Sequence, residues 1–220
     1  MRVGWMMFAL GVVLLPALPA QATGKNHVAI IGDSIASGLA YGLARFYGDR
    51  GNLAFDNCAI NGSGLLSGRT DWIRRARTIA GQHPYRLAVL QLGTNDALLL
   101  KDDADYRRRV RETLQPFVAR GIPVACVETL PSLRLDLKSL IPRVAADIRQ
   151  ACLSVGGTAV SLPSELNRRR LRAKDDVHLT AEGYYAMATS VAFALARGPH
   201  QIEIPINSRP PILQPSSEDR

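Results

Sequence analysis

Cysteine is scarce in this chain: Cys58, Cys126 and Cys152 are all that its 220 residues contain. Three cysteines so far apart supply neither a disulfide framework nor a metal site built on closely paired ligands. An oxidising compartment would permit one bridge with one thiol left over, but Cys126 lies in an apolar, strand-like run where burial as a small hydrophobe is the simpler expectation. Aromatic residues are also few, at 6%. None interleaves the basic clusters Arg74 to Arg77, Arg107 to Arg111 and Arg168 to Lys174, which argues against a base-stacking nucleic-acid surface. Those clusters read as solvated helix faces, and the net charge of +8 suits attraction to an anionic cell envelope. Past residue 22 no apolar run is long enough to span a bilayer, so stable membrane insertion is not expected. No repeat of the length found in solenoids or propellers is present.

The first residues have the form of an export leader. Met1-Arg2 is basic, Val3 to Leu18 is almost wholly apolar, and Ala20-Gln21-Ala22 fits the small-x-small cleavage rule. A membrane anchor needs roughly 20 unbroken apolar residues, and Pro16 and Pro19 interrupt this run. Residues 1–22 are therefore expected to be a cleaved signal peptide, which places the mature protein in the periplasm or outside the cell. Residues 23–198 would form one catalytic domain. The tail 199–220 carries Pro205, Pro210, Pro211 and Pro215 and reads as extended or disordered.

Between leader and tail, short apolar runs alternate with longer amphipathic ones, the pattern of a parallel sheet flanked by helices. Strands are expected at His27 to Ile31, Asn52 to Asn57, Leu87 to Leu92, Ile122 to Glu128 and Thr158 to Ser161, each apolar enough to be buried on both faces. Helices are expected near Ile35 to Tyr47, Thr70 to Ala80, Ala104 to Arg120, Ser139 to Val155 and Ala181 to Arg197. Val110, Leu114, Phe117 and Val118 form one apolar stripe. Tyr184, Met187, Ala188, Val191 and Leu195 form another, with Thr180 placed to cap its helix.

Ligands of open parallel sheets bind beyond the carboxyl ends of the strands. Three segments at such places carry reactive side chains. Gly32-Asp33-Ser34 follows the first strand, putting Ser34 at a helix start whose free N–H groups can receive negative charge; helix capping is the alternative job for this serine. Gly93-Thr94-Asn95-Asp96 follows the third strand, where the Asn95 amide could donate into the same crevice or simply form a turn. Asp175-Asp176-Val177-His178 precedes the last helix. A carboxylate three residues ahead of a histidine can hold one ring nitrogen while the other takes a proton from a serine, a spacing that favours Asp175 over Asp176. His27, His83 and His200 lack comparable neighbours in sequence.

Together these segments resemble the first, third and fifth sequence blocks of the SGNH, or GDSL, hydrolase superfamily, in matching order, over Asn26 to Arg197. The second block of that family resembles Asn61-Gly62-Ser63-Gly64. Gly64 is preferred for its oxyanion glycine, which usually follows a small residue, with Gly62 as the alternative. An α/β-hydrolase elbow would require Gly-x-Ser-x-Gly, and position 36 is Ala.

The resemblance implies a three-layer α/β/α sandwich with a five-stranded parallel sheet, flavodoxin-like in layout, and a mechanism that uses neither metal nor cofactor. It assigns Ser34 as nucleophile, His178 as general base, Asp175 as its orienting acid, and the N–H of Ser34, the N–H of Gly64 and the Asn95 amide as the oxyanion hole. The expected substrate is a small-molecule or carbohydrate ester, with an acetyl group on an envelope or environmental carbohydrate foremost. Acyl transfer to a sugar and a non-catalytic envelope-binding role on the same scaffold are the alternatives.

Overall fold

A computed structural model describes residues 26–48, 52–199 and 202. The expected leader and most of the expected tail lie outside the described residues. Five parallel strands form one sheet in the order β2-β1-β3-β4-β5: β1 Asn26–Gly32, β2 Leu53–Asn57, β3 Leu87–Gln91, β4 Val124–Val127 and β5 Thr158–Val160. The helices are α1 Ser34–Tyr47, α2 Trp72–Ala80, α3 Asp103–Val118, the short α4 Leu135–Lys138, α5 Ile141–Ser154 and α6 Ala181–Arg197.

Alternate residues of each strand point to opposite faces, and this divides the core in two. Val28 and Ile30 of β1 pack with α1 and α6 on one face. Ala29 and Ile31 pack with α2, α3 and α5 on the other. The result is the three-layer α/β/α sandwich expected. Both apolar stripes are core: Val110, Leu114 and Phe117 are wholly buried, as are Met187, Ala188 and Val191. The Thr180 hydroxyl caps α6 by accepting from the Gly183 N–H at 3.2 Å.

Three expectations need correction. Burial on both faces holds for β1, β3 and β4 in the middle of the sheet, but the edge strands are only half-buried: β5 has one fully buried residue, Val160, and β2 ends at an exposed Asn57. Their apolar composition did not reveal that they are edge strands. The single helix expected over Ser139 to Val155 is α5 alone, beginning at Ile141 with Pro142 in its first turn, where a missing N–H costs nothing. Finally, Cys126 is not a lone small hydrophobe. Burial of β4 against α5 brings it to Cys152, with Cα atoms 6.2 Å apart, and the two are bridged while Cys58 is free. Closing a loop with a separation of 26 residues stabilises the fold by on the order of 3 kcal/mol in the chain-entropy picture.

Candidate active site

Ser34 follows directly from the geometry of β1. Gly32 closes the strand at φ +148° with no room for a side chain against the Gln91 carbonyl of β3, so the chain turns at once into α1. Capping falls to the preceding residue: Asp33 Oδ1 accepts from the Ile35 N–H at 2.9 Å. Ser34 is thereby released from the capping role and is the first helical residue. Its Oγ lies 2.8 Å from His178 Nε2.

His178 is held by a compact loop. Its Nδ1 is 2.6 Å from Asp175 Oδ2. Asp175 Oδ1 accepts from the His178 and Val177 N–H groups at 2.9 and 3.0 Å. Partial burial works against ionisation of Asp175, but the His178 side chain and these two N–H groups outweigh it and bring the carboxyl down to about 2. Asp176 has a different job. It takes a left-handed turn at φ +59°, pairs with Arg169, and its carbonyl accepts from the Leu133 N–H at 3.0 Å and the Ser132 hydroxyl at 3.1 Å.

Close packing of two helices sets the serine-to-histidine distance. A Cβ on Gly38 would strike the Tyr184 ring, and one on Gly42 would strike the Tyr184 carbonyl and Ala188. Glycines at these positions let α1 and α6 approach closely, so the residue that starts α1 meets the residue two before Thr180.

Asn95 and Gly64 come together through the third and second loops. Asn95 lies in the turn that follows β3, and its Nδ2 also reaches across loops to donate to the Ser63 carbonyl at 2.8 Å, which leaves the second amide hydrogen free of that bond. Gly62, at φ +69°, makes the turn. Gly64 packs directly on Asp96, where any Cβ would run into the carboxylate. The wholly buried Asp96 accepts from the Leu65 N–H at 3.1 Å, the Leu66 N–H at 2.8 Å and the Tyr106 hydroxyl at 3.0 Å.

Three comparisons bear on this arrangement. Residues 30–186 match the model of the GDSL-like Lipase/Acylhydrolase family. The chain belongs to that family. It is an ester hydrolase. No curated protein matches the chain by sequence. Solved structures share the fold at low identity. The lipase/acylhydrolase from Enterococcus faecalis superposes with a TM-score of 0.65 at 15% identity, covering 77% of this chain and 95% of that one. The psychrotrophic esterase EstA from Pseudoalteromonas sp., inhibited by monoethylphosphonate, gives 0.64 at 14%, covering 78% and 97%. A lipolytic protein of the G-D-S-L family from Veillonella parvula gives 0.61 at 18%, covering 78% and 98%.

Around the reactive groups this hydrolase places three residues that sequence reasoning passed over. Asp33 is wholly buried. Burial, reinforced by the nearby Asp96 and only partly offset by the Ile35 N–H, pushes its carboxyl up to about 7. Asp96, treated as a turn residue, is the clamp that fixes the Gly64 segment; burial raises its carboxyl too. Arg172 sits in the run read as a solvated face, yet it is buried. Its guanidinium donates to the carbonyls of Leu166 at 2.9 Å, Val177 at 3.1 Å and Pro131, and to Asn167 Oδ1 at 2.7 Å. It thereby pins the histidine loop to its neighbours, and burial brings its pKa down to about 10. A basic run gives no sign of which arginine turns inward.

Next to the histidine loop lies a cavity of about 370 Å³ lined by Thr129, Pro131, Ser132, Leu133, Ile141 and Asn167, among others. Leu98 and Leu99, on the loop after Asn95, and Leu135, on α4, are exposed.

Proposed function

We propose that the chain is an exported serine esterase in which Ser34, His178 and Asp175 act as a triad and the N–H groups of Ser34 and Gly64 with the Asn95 amide form the oxyanion hole. The observation that carries this reading is the unbroken relay from Ser34 Oγ to His178 Nε2 at 2.8 Å and from His178 Nδ1 to Asp175 at 2.6 Å. Ser34 Oγ attacks the ester carbonyl carbon while His178 Nε2 takes the hydroxyl proton. Asp175, ionised at all physiological pH values, holds the tautomer with the proton on Nδ1 and stabilises the imidazolium. The three donors receive the charge on the carbonyl oxygen. His178 returns its proton to the departing alcohol, and water, activated by the same nitrogen, frees the acid from Ser34.

For substrate, we infer an acetyl ester on a carbohydrate. The site is open: Asp175 and His178 side chains are 52% and 36% exposed, which suits an ester carried on a bulky polymer. The exposed Leu98, Leu99 and Leu135 favour a second reading, a longer acyl chain lying across an apolar rim. Export draws support from the leader pattern and from the Cys126–Cys152 bridge, which fits an oxidising compartment.

Release of p-nitrophenol from acetyl, butyryl and longer esters, beside Ser34→Ala folded to the same extent, tests the chemistry and the chain length together. Loss of turnover in the variant is expected, with acetyl preferred. Equal turnover in both proteins would remove Ser34 from the mechanism, and preference for long chains would turn the substrate reading toward lipid.

A further inference from the structure

At the opposite end of the sheet from Ser34, three side chains with metal-binding chemistry meet. His27 is the second residue of β1, Asp56 the fourth of β2, and His83 lies in the loop between α2 and β3. The strand register sets Asp56 beside Ala29 and His27 beside Ala54, so His27 and Asp56 share the face that packs toward α2. His27 Nδ1 is 3.1 and 3.0 Å from the two carboxylate oxygens of Asp56. The His83 ring stacks on that of His27 with centroids 4.5 Å apart and planes 4° from parallel. One donor atom from each of the three residues lies within 4.8 Å of the others.

We propose that His27, Asp56 and His83 form a binding site for a divalent transition metal of the zinc class. Two imidazoles and one carboxylate are a donor set suited to zinc, with water completing a tetrahedron, whereas calcium and magnesium favour oxygen alone. The surroundings are those of a prepared site. The loop bearing His83 is already tied to β1, because the Arg86 N–H donates to the His27 carbonyl at 2.8 Å and the Tyr85 N–H to the His83 carbonyl at 2.8 Å. His83 is exposed, so its ring can turn out of the stack into ligation without disturbing the core.

The site is structural. His27 lies five residues before Gly32, the end of the strand, about 17 Å along extended chain, and Ser34 lies beyond that end, so the metal takes no part in ester cleavage. It ties the half-buried edge strand β2 to β1 and to the α2–β3 loop, and metal bound only in the folded state stabilises that state by mass action.

The test is calorimetric titration of the untagged protein with zinc chloride, carried out in a His178→Ala background so that the imidazole beside Ser34 cannot compete. One zinc per chain is expected, with a raised melting temperature and, for cobalt in place of zinc, visible absorption bands of a tetrahedral N/O site. His83→Ala, at an exposed loop position that leaves the core intact, and Asp56→Asn should each weaken zinc binding about tenfold or more. Absence of one-to-one uptake at micromolar zinc, or uptake undiminished in both variants, would overturn the proposal.

Discussion

On the α1–α6 face of the sheet, contact is close and apolar: Gly38 and Gly42 admit Tyr184 and Ala188, and Ser34 and His178 are brought into register by helices pressed together. On the other face, the Gly64 segment is held by charge. Asp96, with no exposure, gathers two backbone N–H groups and the Tyr106 hydroxyl. A loop has no repeating hydrogen bonds of its own, so a buried carboxylate must take their place. A helix start is already satisfied by its cap and needs only to be placed. The lesson is that the proposed oxyanion hole and the proposed triad should fail in different ways.

The largest expected effect lies on the charged side. Asn95→Ala removes a proposed oxyanion donor and should cut turnover on the order of 100-fold to 1000-fold, with the melting temperature little changed; unaltered turnover would take Asn95 out of the mechanism. Asp96→Ala strikes the support of that donor pair. It should cost about 2 to 4 kcal/mol in urea unfolding, since it strands buried N–H groups, and lower kcat with it. A variant that loses stability yet keeps full kcat would show that the Gly64 segment holds itself.

On the apolar side, Gly42→Val forces α1 away from α6. Overpacking of this kind costs about 1 to 3 kcal/mol, and because Ser34 would shift against His178, kcat should fall even under conditions where the variant stays folded. If only stability changed, close helix contact would not be what sets the 2.8 Å separation.

The smallest effect is a slope. Asp33 is raised to about 7 in the fold from an ordinary 3.8, so between these values the native state holds a proton that the unfolded chain has released. Its contribution to stability is complete below the unfolded value and is lost as pH rises through about 7. Asp33→Asn keeps an oxygen to cap α1 and cannot ionise. Chemical unfolding of the two proteins from pH 4 to 8 should show the loss of stability toward high pH reduced in the variant; identical profiles would mean that Asp33 is not the titrating group.

Much of the fold was visible in the linear pattern because its central strands are buried on both faces, and α6 was bounded within the sequence by Thr180 and Gly198. Residues gathered around Ser34 were visible for a related reason: each follows a strand or precedes a helix, where short turn motifs stand out. Arg172 and Asp96 were not, since an arginine in a basic run and an aspartate in a turn look the same whether they face water or the interior. The Cys126–Cys152 bridge was hidden as well, because pairing depends on α5 lying across β4.

The order of strands and helices, the placing of a serine at a helix start, and the three-residue spacing of Asp175 and His178 belong to the sequence by itself, because they depend on local periodicity and short loops. Tertiary structure alone decided that Gly64 packs on Asp96, that Asn95 reaches the Ser63 carbonyl, and that Asp56 meets two distant histidines. These depend on contacts between segments far apart in the chain, and such contacts exist only once the sheet has set the strands side by side.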